Sequence, residues 1–267
     1  MGGNENMSKS ESRSHVLITG ATTGIGYELA NLFAKDGYNL ILIARDKDKL
    51  IKVKSELEMY NINVDILSVD LTVDTSCEEV FNFVDEKNIT VDILINNAGV
   101  GSFGEFSSIP IEKELALIDI NVRALTELTK HFLYKMVENE DGIIMNVAST
   151  AAFCAGPKMA AYYASKAYVL NLTEALNEEV RNKGVKVSCL CPGAVNTEFQ
   201  NKAGIKKSES AKKNIMSAKK VAEIAYRDLK KGKVIIIPGF KNKLLVILNK
   251  FLPRAISRKI IFKMNNG

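Results

Sequence analysis

Tyr162 and Lys166 stand four residues apart in the run A-Y-Y-A-S-K, so on a helix they share one face, one turn apart. A phenol beside an ammonium is a proton-transfer device. The positive charge favours the phenolate and draws down a pKa that is about 10 when unperturbed. Such a phenol exchanges a proton with an alcohol or carbonyl oxygen. Ser149, thirteen residues upstream at the end of G-I-I-M-N-V-A-S, carries a hydroxyl able to hold the same oxygen. Tyr163 also falls within one turn of Lys166, so helical spacing alone leaves both phenols open. Asn121 adds an amide that a helix-capping or structural role would explain equally well. None of these side chains carries electrons, so redox chemistry on that oxygen needs a bound agent.

The N-terminal third offers a site for one. His15–Thr19 reads as a buried strand running into G-A-T-T-G-I-G and then the helically spaced Y-E-L-A-N-L-F-A-K-D. In such a strand–turn–helix, Gly20 makes the tight turn, Gly24 admits a pyrophosphate to the backbone, and Gly26 lets helix and strand pack closely. Thr22, Thr23 and Ile25 belong to the same turn and count with the cofactor contacts. The helix start faces the anion with free N–H groups and its positive dipole end. The second strand, Y-N-L-I-L-I-A, ends at Ala44 and is followed by Arg45, Lys47 and Lys49. An acid here would hold a ribose 2′-hydroxyl, whereas an arginine accommodates a 2′-phosphate. NADP(H) is therefore expected over NAD(H), with Asp46 and Asp48 opposing it locally.

These pieces resemble the short-chain dehydrogenase/reductase family of the single-domain type. T-G-A-T-T-G-I-G (19–26), D-L (70–71), N-N-A-G (96–99), Asn121, Ser149, Y-Y-A-S-K (162–166) and P-G-A-V-N-T (192–197) occur in the family's order and spacing. The resemblance spans residues 14–240. It implies that Tyr162, rather than Tyr163, is the acid/base and that Ser149 orients a substrate carbonyl. Lys166 would lower the phenol pKa and hold the nicotinamide ribose, and Asn121 would support a water relaying protons to Lys166. Asp70 and Leu71 would flank the adenine, and Asn97, Ala98 and Gly99 would border its ribose. Pro192, Gly193, Val195 and Thr197 would lie along the nicotinamide. Substrate contacts would come from Ser149, Ala151, Phe153, Tyr162 and Phe199, within a mostly apolar wall that adds Val100, Phe103, Ala155 and Ala194. The implied reaction moves a hydride between NADP(H) and a carbonyl or secondary alcohol. A ketone, steroid-like or 3-oxoacyl substrate suits that wall. N-N-A-G-V-G-S-F-G-E-F and V-I-I-I-P-G-F-K-N-K-L-L resemble a bacterial branch of broad ketone and acyl reductases.

A chain of 267 residues, 46% hydrophobic and 25% charged, suits one soluble α/β domain. Apolar runs at 15–19, 38–44, 62–69, 91–96, 143–148, 185–191 and 233–237 alternate with helical stretches. That alternation predicts a Rossmann-like, doubly wound parallel sheet covered on both faces. Gly37 and Gly184 fall where helices should end in a left-handed residue. The expected organisation is a flexible 1–13, a catalytic domain 14–240 with a lid at 196–217, and an extension 241–267. Residues 1–13 lack the apolar core of a secretory signal, and Met7 is a candidate native start. Cys189-x-Cys191 is weak metal evidence in a chain with only two histidines, so no metal is expected. Cys77, Cys154, Cys189 and Cys191 read as free thiols of a reducing cytoplasm.

From Lys230 onward there are ten Lys or Arg and no acids, against +5 for the whole chain. L-L-V-I-L-N-K-F-L and A-I-S-R-K-I-I-F-K-M in this tail are basic and amphipathic, and too short and charged to span a bilayer. The expectation is that their apolar faces cap the cleft or a neighbouring subunit. Weak attachment peripheral to an anionic membrane is the alternative. The expected partners are a small-molecule carbonyl or alcohol and a homodimer or homotetramer. Nucleic acid is not expected, since no recognition motif is present. A cofactor-binding regulator or membrane-surface protein without turnover remains the competing class.

Overall fold

The computed structural model describes residues 13–204 and 215–266. The expected flexible N-terminus therefore lies almost wholly outside the described residues, as does the middle of the expected lid. All seven apolar runs form strands: β1 (His15–Thr19), β2 (Asn39–Ala44), β3 (Val64–Ser68), β4 (Val91–Asn96), β5 (Gly142–Val147), β6 (Val185–Leu190) and β9 (Ile235–Ile236). They make one sheet in the order β3-β2-β1-β4-β5-β6-β9, and every pair is parallel. A second, two-stranded pairing joins β7 (Val195–Asn196) to β8 (Met216–Ser217).

The runs are continuously apolar because both faces of the sheet are covered. Val16 and Ile18 of β1 enter one core with Leu29 and Phe33 of α1 (Gly24–Lys35) and Leu50 of α2 (Lys47–Leu57). Leu17 points the other way, into a core with Val80 of α3 (Ser76–Glu86) and Phe132 of α5 (Leu125–Glu138). One-residue alternation thus divides a single strand between two layers. Gly37 and Gly184 close helical segments at φ +83° and +71°, the left-handed conformation expected of them.

Strand order reverses between β1 and β4, which opens a crevice at their carboxyl ends. The chain also forms α4 (Ile111–Ile118), α6 (Ala160–Glu179), the short α7 (Glu198–Lys202) and α8 (Ala218–Lys230), the last packed along α1 in the first core. Ser217 caps α8, its side chain accepting from the Lys220 amide. The chain then forms α9 (Phe240–Phe251) and α10 (Arg254–Asn266). Both dock on their own domain. Asn249 donates to the Phe153 carbonyl at 2.6 Å, and Asn265 donates to the Pro157 carbonyl at 2.8 Å. Among the described residues no helix is long and apolar enough to cross a membrane.

Candidate active site

The glycine turn is built for close approach. Gly20 sits at φ +66° and Gly24 at φ +61°. A Cβ on Gly26 would fall 2.4 Å from the Gly20 carbonyl oxygen and 2.4 Å from Asn97 Nδ2, so only glycine fits under this turn. Thr19 Oγ1 accepts from the amides of Asn97 and Ala98, while Asn97 Nδ2 donates to the carbonyls of Thr19 and Gly20. N-N-A-G thereby pins the turn to the end of β4, and the Asn97 amide nitrogen is structural rather than free for a ribose. Thr23 gives α1 no side-chain cap, and the first turn holds no acid. That end keeps its N–H groups and dipole for an anion. The cradle fits a dinucleotide's pyrophosphate. Gly26→Ala should weaken dinucleotide binding and lower the melting temperature, through about 1–3 kcal/mol of overpacking against backbone that cannot yield. Thermal melts and a cofactor titration check both effects.

At the end of β2, Asp46 caps α2 by accepting from the Lys49 amide at 3.0 Å, so this acid serves the helix. The Arg45 guanidinium is 3.6 Å from Asp70, with both side chains well exposed. An exposed pair of this kind is worth about 0–1 kcal/mol and does not sequester the arginine. Asp70 also accepts from the amide and hydroxyl of Thr72. Leu71 is buried in the core with Val69 and Val80 instead of lining an open adenine slot.

Ser149 follows β5 and opens a short helical turn, Thr150–Phe153, accepting from the Ala151 amide at 3.1 Å. Its hydroxyl meets the Pro192 carbonyl only at 3.4 Å and lies beside the Tyr162 phenol. Lys166 is buried, and Nζ donates to the Val147 carbonyl at 2.8 Å and lies 5.9 Å from the Tyr162 ring centroid. A Cβ on Gly99 would stand 3.3 Å from Lys166 Nζ and 3.1 Å from Asn121 Oδ1, so these two groups converge beside the glycine. Serine, tyrosine, lysine and asparagine thus meet at the carboxyl ends of β4 and β5. Tyr163 turns elsewhere. A Cβ on Gly156 would lie 2.3 Å from its ring, and its hydroxyl lies beside Asn265 of α10.

One expectation needs correction. Lys166 does not depress the phenol pKa in this structure. Burial pushes Tyr162 up to about 12, against the lowering effect of the Ser149 hydrogen bond. The ring keeps some exposed edge, but crowding at the hydroxyl decides. The same burial pulls Lys166 down to about 8, the nearby Cys189 and Cys191 opposing it. The ammonium is itself poorly solvated and turned to a carbonyl, so its influence on the phenol is outweighed. Asn121 lies in a π-helical turn, Asp119–Ala124. Its amide accepts from the Val100 amide and donates to the Val100 carbonyl and to Ser165 Oγ. Both amide hydrogens are engaged, while Oδ1 keeps a second acceptor site. Ser165, unremarked in the sequence, joins this network and donates to the Tyr162 carbonyl at 2.7 Å. Its place inside Y-Y-A-S-K was the available signal.

Thr197 reaches across the crevice, its Cγ2 3.0 Å from where a Gly24 Cβ would be. Pro192 accepts from the Thr150 amide, and a Cβ on Gly193 would meet Asn242 of α9 at 2.6 Å. Val195 is buried in β7. Phe199 of α7 packs on Tyr162 with ring centroids 5.5 Å apart, and its Cζ is 2.9 Å from a Gly101 Cβ position. It covers the phenol. Ala151 is buried beneath. Phe153 and Val100, expected as substrate wall, pack against the cores around Cys189 and around Leu94 respectively. Phe103 is partly exposed, and Ala155 and Ala194 are exposed. Cys189 and Cys191 bring their sulfurs to 3.6 Å behind Lys166.

The short chain dehydrogenase family model matches residues 14–208, most of the chain, from β1 through α7. The chain belongs to this family. Among relatives of this short-chain dehydrogenase is a Dehydrogenase/reductase SDR family protein 7-like of Drosophila melanogaster. It is 32% identical over 266 residues, covering 94% of this chain and 82% of that protein. A very-long-chain 3-oxoacyl-CoA reductase of Rattus norvegicus is 31% identical over 263 residues, covering 94% and 79%. A short-chain dehydrogenase from Sphingobium yanoikuyae, solved in complex with NADPH, superimposes with a TM-score of 0.80 at 31% identity, covering 91% of this chain and 97% of that one. Fold, family and oxidoreductase class stand together on these likenesses and the parallel sheet.

Proposed function

We propose that this short-chain dehydrogenase reduces a largely apolar ketone or 3-oxoacyl compound at the expense of NADPH, Tyr162 supplying the proton. The observation that carries the reading is the meeting of Ser149, Tyr162 and Lys166 beside an uncapped, glycine-lined helix start. NADPH, when bound, supplies the hydride. The rest is done by side chains. Ser149, weakly held by Pro192, is free to donate to the carbonyl oxygen and fix its position. Tyr162, with its pKa near 12, is protonated throughout the physiological range and gives its proton to that same oxygen. Lys166, anchored to Val147, places a positive charge next to the phenolate as it forms. Phe199 closes over the phenol and excludes water. The segment 196–217 would act as the lid. The likeness to the rat 3-oxoacyl-CoA reductase and the apolar character of Phe199 favour an acyl or bulky ketone substrate. NADPH disappearance with a panel of such carbonyl compounds tests the reading, and no turnover with any of them would favour a cofactor-binding regulator.

The cofactor preference rests on Arg45, with Asp46 engaged as a helix cap. Arg45→Asp removes a cation from the expected 2′-phosphate position and adds an acceptor for a 2′-hydroxyl. NADPH affinity should fall and NADH should gain relative to it, by tenfold or more for about 1.4 kcal/mol. Titration of wild type and variant with both cofactors measures this. Equal wild-type affinities would remove the preference. Assembly as a homodimer or homotetramer belongs to the same proposal, with exposed Ile111 and Leu115 of α4 as available apolar surface. Light scattering reports it.

A further inference from the structure

Helix α9 has two opposite faces. Asn242, Val246 and Asn249 share the side that meets the domain: Asn249 holds the Phe153 carbonyl and Val246 is buried. Phe240, Leu244, Ile247 and Phe251 recur at helical spacing on the other side, and Phe240 and Phe251 are 80% and 82% exposed. Lys243 and Lys250 flank this stripe on one edge and Lys241 on the other. On α10, Ser257, Ile261 and Asn265 face the domain, while Ile256, Ile260 and Met264 form a second exposed stripe. Of the twenty exposed large apolar side chains among the described residues, eleven fall between Phe240 and Met264. The expected capping of the cleft accounts for the docked faces only.

The occupant of the outer face must tolerate charge as well as cover carbon. Residues 240–266 hold seven Lys or Arg and no Asp or Glu. A second copy meeting this face would bring two acid-free cationic surfaces together. A helix with an apolar stripe bordered by lysines instead matches the boundary of an anionic bilayer. There the apolar side chains enter the acyl edge and the ammonium groups meet headgroup phosphates and carboxylates. Two helices of 12 and 13 residues, locked to the domain, lie along such a surface and do not cross it. We infer that the outer face of α9 and α10 is a docking surface for an anionic lipid bilayer. Because α9 and α10 bind the main chain at Phe153 and Pro157, the bound protein would turn the Ser149 side of the crevice toward the membrane. Binding itself does not depend on the proposed reaction.

Sedimentation of the full chain with phosphatidylcholine vesicles, with and without phosphatidylserine, tests this at low and high salt. The expected result is cosedimentation with the phosphatidylserine vesicles that is reduced, not abolished, by salt. Lys243→Glu with Lys250→Glu should lower partitioning about fivefold or more for each lysine. Leu244→Glu with Ile247→Glu should abolish it. Both pairs are exposed and remote from the catalytic groups, so NADPH binding and melting should match wild type and show that the variants fold. No cosedimentation, or equal cosedimentation with both vesicle types, overturns the inference. So does self-association in light scattering that Leu244→Glu with Ile247→Glu dissolves, which would make a second copy the occupant.

Discussion

Tyr162→Phe is expected to reduce turnover by about 10²–10⁴-fold, or more if no water replaces the lost proton donor, while NADPH binding stays close to wild type. The ring remains, with its packing against Phe199. Only the hydroxyl beside Ser149 goes. Tyr163→Phe is the matched control. That phenol packs on Gly156 and reaches Asn265, so its loss should leave the rate nearly unchanged and affect only the seating of α10. Steady-state kinetics on both variants decide the assignment. Retained activity in the first and lost activity in the second would move the acid to Tyr163.

Lys166→Met should lower kcat and weaken NADPH binding together, because one buried ammonium is asked both to hold the cofactor ribose and to favour the nascent phenolate. Its pH signature is more specific than its size. Burial sets the Lys166 pKa at about 8, so the group is charged below that pH and neutral above it. If the charge is needed, wild-type kcat/KM for reduction falls as pH rises through about 8, the profile reporting the free enzyme. Tyr162, at about 12, stays protonated across this range and contributes no limb. The methionine variant should show a slow rate with no fall near that pH. A wild-type profile flat through this region, or a fall that survives in the variant, would count against an electrostatic role.

The sheet was legible because each strand is buried on both faces and its sequence is accordingly an unbroken apolar run bounded by turn residues. Gly20, Gly24 and Gly26 were legible for a local reason, since strand, turn and helix follow one another without interruption. Tyr162, Ser149 and Lys166 could be matched to one another by spacing and family resemblance. The balance between burial and charge on the Tyr162 phenol could not be read that way. It depends on how tightly Ser149, Tyr163 and the surrounding chain close on the hydroxyl, and on the carbonyl toward which Lys166 turns. The surroundings of the Asn121 amide were hidden for a similar reason. Its partners, Val100 and Ser165, are 21 and 44 residues away and meet it only through the fold. The tail was half legible. Periodicity marked its amphipathic helices, but which face docks is fixed by Asn242, Asn249 and Asn265, polar residues that carry no hydrophobic signal.

The central claim is a hydride transfer completed by the Tyr162 proton. Its most direct test is a reaction with NADPH deuterated at the nicotinamide carbon that gives the hydride, using the best carbonyl compound from the panel and mass analysis of the product. The wild-type protein should form the alcohol with deuterium on the carbinol carbon, and Tyr162→Phe should bind the same NADPH and form almost none. Absence of deuterated alcohol from the wild-type reaction, with NADPH demonstrably bound, would contradict the account.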